Sequence, residues 1–141
     1  MDVNHDPSAG FNGLVGIEYV EVGPDRVVLS LDVDERHHQP YGLVHGGTYC
    51  TLVETAASIG AALTAAERGM AGAVGVSNTT DFYRSHRMGE LRATGTPLHK
   101  GRTQQVWQVE VTRAEDDVVV ARGQVRLQNL PDPAVIGDAG A

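Results

Sequence analysis

The sequence predicts an α+β fold in which an antiparallel sheet wraps around one long central helix. Three observations predict it. From Thr48 to about Arg68 the chain is free of proline and repeats Leu52, Ala56, Ile59 and Leu63 at helical spacing. Two β-like runs precede that stretch and four follow it. The four that follow are joined by short turns, which suits antiparallel pairing better than alternating βαβ units. One helix cannot cover both faces of six strands, so an edge or face of the sheet should seek another subunit.

Residues 1–12 are polar with Gly and Pro, and read as a flexible segment before a domain spanning 13–130. Leu14–Val22 and Arg26–Val33 read as a hairpin, with Gly23, Pro24 and Asp25 as its turn. Val27, Leu29, Leu31 and Val33 alternate with the period of a half-buried strand. Asp34–Gly47 is a polar loop that contains Pro40 and delivers the chain to the helix, which Gly69 stops. The later strands are expected at Ala73–Tyr83, Glu90–Pro97, Gln104–Arg113 and Val118–Gln128. Turn residues separate them at Met88–Gly89, His99–Arg102 and Glu115–Asp117. Residues 131–141 form a Pro/Gly/Ala-rich flexible tail.

A chain of 141 residues with 41% apolar content is one ordinary domain. Its net charge of −7 argues against non-specific nucleic-acid binding, which needs a concentrated positive field. Local clusters of Arg and Lys can still oppose that sign for a small anionic ligand. Cys50 is the lone cysteine, so neither an intrachain disulfide nor a cysteine-based zinc site is supported, and no metal is expected. The start lacks the basic and apolar regions of a signal peptide, and Glu54, Ser58, Gly60 and Thr64 interrupt the helix too often for a membrane span. A cytoplasmic protein without membrane contact is the expectation.

The informative segment is HQPYGLVHGGTYCTLVETAAS, His38 to Ser58. Gly46 and Gly47 stand where the chain enters the helix. Backbone N–H groups there have no intrahelical partner, and glycine lets a ligand approach them. With the positive end of the helix dipole, they suit an oxygen that gains negative charge. Glu54 is an ionisable group in a run of Leu, Val and Ala, and Ser58 lies four residues on, on the same helix face. Each feature alone has a plainer explanation: a tight turn, a solvated glutamate, a small residue at a packing contact, a loop histidine at His45. Their combination points to catalysis. Gly46 and Glu54 lie eight residues apart, ~12 Å along a helix, so one carbonyl cannot touch both from a single chain. Two such helices packed antiparallel about a two-fold axis would bring Gly46 of one chain near Glu54 of the other.

This segment resembles the signature of the hotdog-fold thioesterases, in the group of phenylacetate-pathway and hydroxybenzoyl-CoA enzymes. That signature has Gln or Asn, then His-Gly-Gly, then an acidic residue nine after the His, then Ser or Thr four further on. Here Gln39, His45, Gly46, Glu54 and Ser58 fall at those spacings. A second stretch, FYRSHRMGELRATGTPLHKGRTQQVWQVEV, is similar to the same family in its Arg-x-x-x-x-Gly and Gly-Arg elements. The chain departs at Phe82 and Tyr83, where some relatives acting on hydroxyaryl-CoA esters carry histidines.

The resemblance implies a hotdog fold and hydrolysis of an acyl-CoA or acyl-carrier-protein thioester, with hydroxyaryl-CoA or related aryl-CoA esters foremost. It implies Glu54 as nucleophile or general base, Gly46 N–H as the carbonyl's donor, Gln39 and His45 shaping that end of the site, and Ser58 orienting the carboxylate. It implies no cofactor beyond the CoA of the substrate. It also implies a homodimer, commonly paired into a homotetramer. Tyr83, Arg84, Lys100, Gly101, Arg102 and Thr103 are the candidate contacts to substrate and CoA. The HKGRT turn, His99–Thr103, combines glycine, cations and a hydroxyl suited to phosphate. A hotdog-fold hydratase or dehydratase is the competing enzyme, but no Asp precedes a His in the pattern it would need. A non-catalytic acyl-CoA sensor would keep the fold and lose the carboxylate, whereas Glu54 is present. Cys50 with His45 makes a poor nucleophilic pair, since no third group orients it.

Overall fold

A computed structural model describes Asp6 and residues 8–131. The chain runs through a short helix α1 (Gly10–Val15), strands β1 (Glu18–Val22) and β2 (Val27–Val33), a helical turn at Glu35–His37, and the long helix α2 (Gly46–Glu67). Strands β3 (Gly72–Phe82), β4 (Gly89–Lys100), β5 (Gln104–Arg113) and β6 (Val119–Leu130) follow. The six strands form one sheet in the order β1-β2-β4-β5-β6-β3, with every pair antiparallel. The sheet curls around α2, so β1 and β3 are its edges.

The hairpin stands with a shorter first strand. Leu14 and Val15 are helical, and Gly16 at φ +89° ends α1 in the left-handed conformation, donating its N–H to Asn12 O. The apolar residues of this stretch fit either period, and Gly16 decides it. Helix α1 starts at Gly10, ahead of the domain start expected at residue 13. Residues 1–5, Pro7 and all of the expected tail except Pro131 lie outside the described residues. β4 continues through Lys100, so the expected turn at His99–Arg102 narrows to the residues between Lys100 and Gln104.

The core lies between α2 and the concave face of the sheet. Leu52, Val53, Ala56, Ala57 and Ala61 of α2 are fully enclosed in one cluster with Leu29, Leu91, Trp107, Val109 and Leu127. Small residues set the spacing: a Cβ on Gly60 would come within 2.2 Å of the Trp107 ring. Trp107 in turn donates to Gln105 Oε1 (2.9 Å), and Gln105 Nε2 donates to Ala61 O (3.0 Å) and Asn129 Oδ1 (2.8 Å). This buried network is fully paired, as a dry interior requires.

β3 carries a bulge that decides what faces the helix. It pairs with β6 through Gly75↔Leu127 and then Ser77↔Arg126, leaving Val76 as the extra residue. Past the bulge the inward set switches phase, so Asn78, Thr80 and Phe82 oppose the buried positions Val125, Gly123 and Ala121.

Candidate active site

Helix α2 opens at a cap made by its own motif. His45 Nδ1 accepts from Gly47 N–H (2.8 Å) and His45 N–H donates to His37 O (2.8 Å). An amide donor at Nδ1 places the neutral ring's proton on Nε2. His45 therefore shapes the helix terminus. The N–H of Gly46 finds no acceptor among the described residues. Phe82 packs over this glycine: a Cβ there would lie 2.6 Å from the Phe82 ring. The Phe82 and Tyr49 rings sit 5.6 Å apart, tilted by 36°. A cleft of about 220 Å³ is lined by Gly46 with Gln39, Tyr49, Phe82, Tyr83 and Arg84. Gln39 is held there in a loop turn: its side-chain carbonyl accepts from Tyr41 N–H and its own N–H donates to Leu43 O (2.8 Å).

Glu54 lies two turns further along the same helix and is half-buried against β3. Each carboxylate oxygen accepts one hydrogen bond. Ser58 Oγ donates to Oε1 (3.2 Å) and Asn78 Nδ2 donates to Oε2 (3.1 Å). Gly75 leaves the space that Oε1 occupies, since a Cβ there would overlap it. Asn78 and Gly75 were not among the sequence candidates. A polar residue directly after a Ser in a β-like run carries no signal of its own; only the bulge at Val76 turns Asn78 toward the helix.

The remaining candidates lie elsewhere in the chain. Arg68, at the end of α2, donates to Lys100 O (3.0 Å) and Gly101 O (2.8 Å), which puts the HKGRT turn beside the helix C-terminus. From Glu54 to Arg68 is ~21 Å of helix at about 1.5 Å per residue. Lys100 Nζ is engaged by Asp25 (2.6 Å), whereas Arg102 is exposed with no carboxylate partner among the described residues. Thr103 O accepts from Asn129 N–H (2.9 Å), and a Cβ on Gly101 would meet Gln104 O at 2.5 Å. One chain thus holds three separate groups: the cleft with Gln39, Gly46, Tyr83 and Arg84; the Glu54–Ser58 pair; and the turn with Lys100, Gly101, Arg102 and Thr103. A hollow of about 500 Å³ on the outer sheet face, lined by Ser77, Thr79, Asp81 and Arg126 among others, lies on the opposite side of β3 from Glu54.

Among the described residues no cluster of His, Cys, Asp and Glu is arranged to hold a metal ion, and no helix is long and apolar enough to cross a membrane.

Comparison with known proteins identifies the family. The Thioesterase superfamily model matches residues 41–120, from the loop before α2 into β6. Rv1847 of Mycobacterium tuberculosis is 47% identical over 121 residues, covering 85% of this chain and 86% of that protein. Its solved structure superimposes with a TM-score of 0.83 at 46% identity, over 86% of this chain and 97% of that one. The proofreading thioesterase EntH of Cronobacter turicensis is 37% identical over 97 residues, 69% of each chain. The 1,4-dihydroxy-2-naphthoyl-CoA hydrolase of Listeria monocytogenes is 36% identical over 103 residues, 73% of this chain and 82% of that one. With its six-stranded antiparallel sheet curled around one long helix, the chain belongs to the thioesterase superfamily, as a thioester hydrolase of hotdog fold.

Proposed function

We propose that the protein hydrolyses aryl-CoA thioesters, hydroxyaryl-CoA esters foremost, to the free acid and CoA, in sites shared between two chains. The observation that carries this reading is Glu54 itself, a carboxylate held at both oxygens on the helix whose first N–H, beside an aromatic cleft, has no acceptor among the described residues.

In this reading the thioester carbonyl oxygen accepts from Gly46 N–H, where the helix dipole favours developing negative charge. Glu54 of the second chain reaches the carbonyl carbon in one of two ways. It takes a proton from a water whose oxygen bonds to that carbon. Otherwise it attacks directly, forming a mixed anhydride that water then hydrolyses. In both the C–S bond breaks, the electron pair leaves with sulfur, and the thiolate takes a proton from solvent. Tyr49, Phe82 and Tyr83 supply ring faces and edges for an aryl acyl group. The likeness to a dihydroxynaphthoyl-CoA hydrolase supports the same substrate class.

A shared site is supported by distance, since Gly46 and Glu54 lie ~12 Å apart on one continuous helix. It is supported also by β3, an edge strand with Val74 and Val76 exposed, which offers a second copy an unpaired ladder. Arg84 at the cleft and Arg102 on its turn are the cations offered to CoA phosphates. A homodimer, paired further into a tetramer, is the assembly proposed, acting in the cytoplasm.

The test is hydrolysis of benzoyl-CoA, followed by thiol release, for the wild type and Glu54→Ala. Loss of kcat on the order of 10² to 10⁴-fold, with an unchanged melting temperature and oligomer size, is expected. Near-normal kcat in the variant would remove Glu54 from the mechanism. A panel of acyl-CoA and acyl-carrier-protein thioesters, ranked by kcat/KM, then fixes the acyl group and the carrier.

A further inference from the structure

A glutamate side chain is long, and fixing its rotamers costs conformational entropy. Ser58 alone, one turn along the same helix, holds only one oxygen and leaves the carboxylate free to swing about that contact. The second oxygen is held from a different element. We infer that Asn78 is a positioning residue for the Glu54 carboxylate, with Thr80 fixing the direction of the Asn78 amide. The inference rests on the catalytic role proposed for Glu54.

The hydrogen-bond inventory assigns the amide without ambiguity. Asn78 Nδ2 lies 3.1 Å from Glu54 Oε2 and 3.2 Å from Cys50 O. The Cys50 carbonyl can only accept, so the NH₂ group must be the end that faces it and the neighbouring carboxylate. Thr80 Oγ1 donates to the opposite end, Asn78 Oδ1, at 2.7 Å. Both amide protons are therefore committed, one to the catalytic carboxylate and one to the backbone of its own helix. That leaves Asn78 no donor for substrate, which is why it positions rather than binds.

The surroundings are fitted to this chain of contacts. The bulge at Val76 rotates Asn78 and Thr80 onto the inner face of β3; without it both would point away from α2. Gly75 lies just before the bulge, where any Cβ would overlap Glu54 Oε1. Gly123 on β6 lies across from Thr80, and a Cβ there would come 2.5 Å from Thr80 Oγ1. Thr80, Asn78, Glu54 and Ser58 thus form a continuous hydrogen-bonded line from β3 to α2.

A neutral amide suits this task. A lysine or arginine at the same place would hold the carboxylate as an ion pair and compete with its reaction. An amide fixes one lone pair and leaves the other lone pair of that oxygen open to water or to the thioester carbon.

The experiment measures kcat, KM and melting temperature on benzoyl-CoA for Asn78→Ala, Asn78→Asp and Thr80→Val, beside Glu54→Ala. Asn78→Ala is expected to lower kcat on the order of 10- to 100-fold, as a displaced reacting group does, with KM little changed. Asn78→Asp keeps the shape but sets a second carboxylate against Glu54, and should lose more activity than Asn78→Ala. Thr80→Val leaves Asn78 in place but frees its amide to turn, and should fall between the wild type and Asn78→Ala. It also reads the contact should Asn78→Ala fail to fold. Wild-type kcat in folded Asn78→Ala and Thr80→Val, with Glu54→Ala inactive, would overturn the positioning role and leave the function standing. A kcat loss that tracks the melting temperature equally in the Ala and Asp variants would make Asn78 structural and also overturn it. Full activity in Glu54→Ala would overturn the function and the inference together.

Discussion

Glu54 sits between the fully buried Val53 and the half-buried Thr55, on the side of α2 that meets the edge of the sheet rather than its centre. That placement gives the carboxylate two protein donors and an open side. Tyr49, one turn nearer the helix start, shows the opposite economy: its hydroxyl is buried with no hydrogen-bond partner among the described residues, and burial pushes its phenol above the usual range. A buried hydroxyl without a partner costs about 1–3 kcal/mol. Tyr49→Phe is therefore expected to raise the melting temperature, by roughly 2–4 °C per kcal/mol recovered. A fall of that size in thermal denaturation would mean that the hydroxyl is satisfied in solution. Arg102 belongs to binding rather than chemistry in the proposed site. Arg102→Ala should raise KM for CoA esters more than it lowers kcat, because a grip on a remote phosphate is equal in ground and transition states. The effect should vanish on a truncated thioester without the nucleotide, and an equal effect there would displace Arg102 from the phosphate.

At the scale of elements, α2 and β3 together frame the proposed site. α2 is packed through small residues, and Gly60 shows how tightly. Gly60→Ala would gain up to ~1 kcal/mol of helix propensity, yet the new methyl overlaps the enclosed Trp107 ring, whose N–H is tied to Gln105. Overpacking of about 1–3 kcal/mol or more should win, and denaturant unfolding should show a lower midpoint with an unchanged slope. A midpoint equal to or above the wild type would show that the sheet can move away from the helix. The helix and the six strands were legible in the sequence, because periodicity is local, and spacing singled out Gln39, His45, Gly46, Glu54 and Ser58 as candidates for the proposed site. α1 was not, since Leu14–Ile17 reads equally as strand until Gly16 takes the left-handed conformation. Asn78 was not, because its direction depends on one unpaired residue, Val76, and on the register of β3 against β6. The engagement of Lys100 by Asp25 joins residues 75 apart and left no local trace.

Across the whole molecule, the distribution of the candidate site residues is what the proposed assembly would explain. The N-terminal end of α2, the Glu54 carboxylate and the exposed Arg102 occupy three places along one chain, and α2 between Gly46 and Glu54 spans ~12 Å. β3, which carries Asn78, is also one of the two edge strands of the sheet among the described residues. A two-fold axis beside β3 and α2 would complete two equal sites at once. Complementation between two inactive variants tests this most directly. Glu54→Ala is mixed with the double variant Gln39→Ala, His45→Ala, and subunit exchange is confirmed by mass spectrometry of the mixed sample. Random exchange makes half the dimers hybrid, and each hybrid has one site with both defects and one with neither. Activity on benzoyl-CoA should then return to roughly a quarter of the wild type, by the arithmetic of a two-fold interface. Hybrids that form while activity stays at the average of the two inactive parents would contradict the shared site.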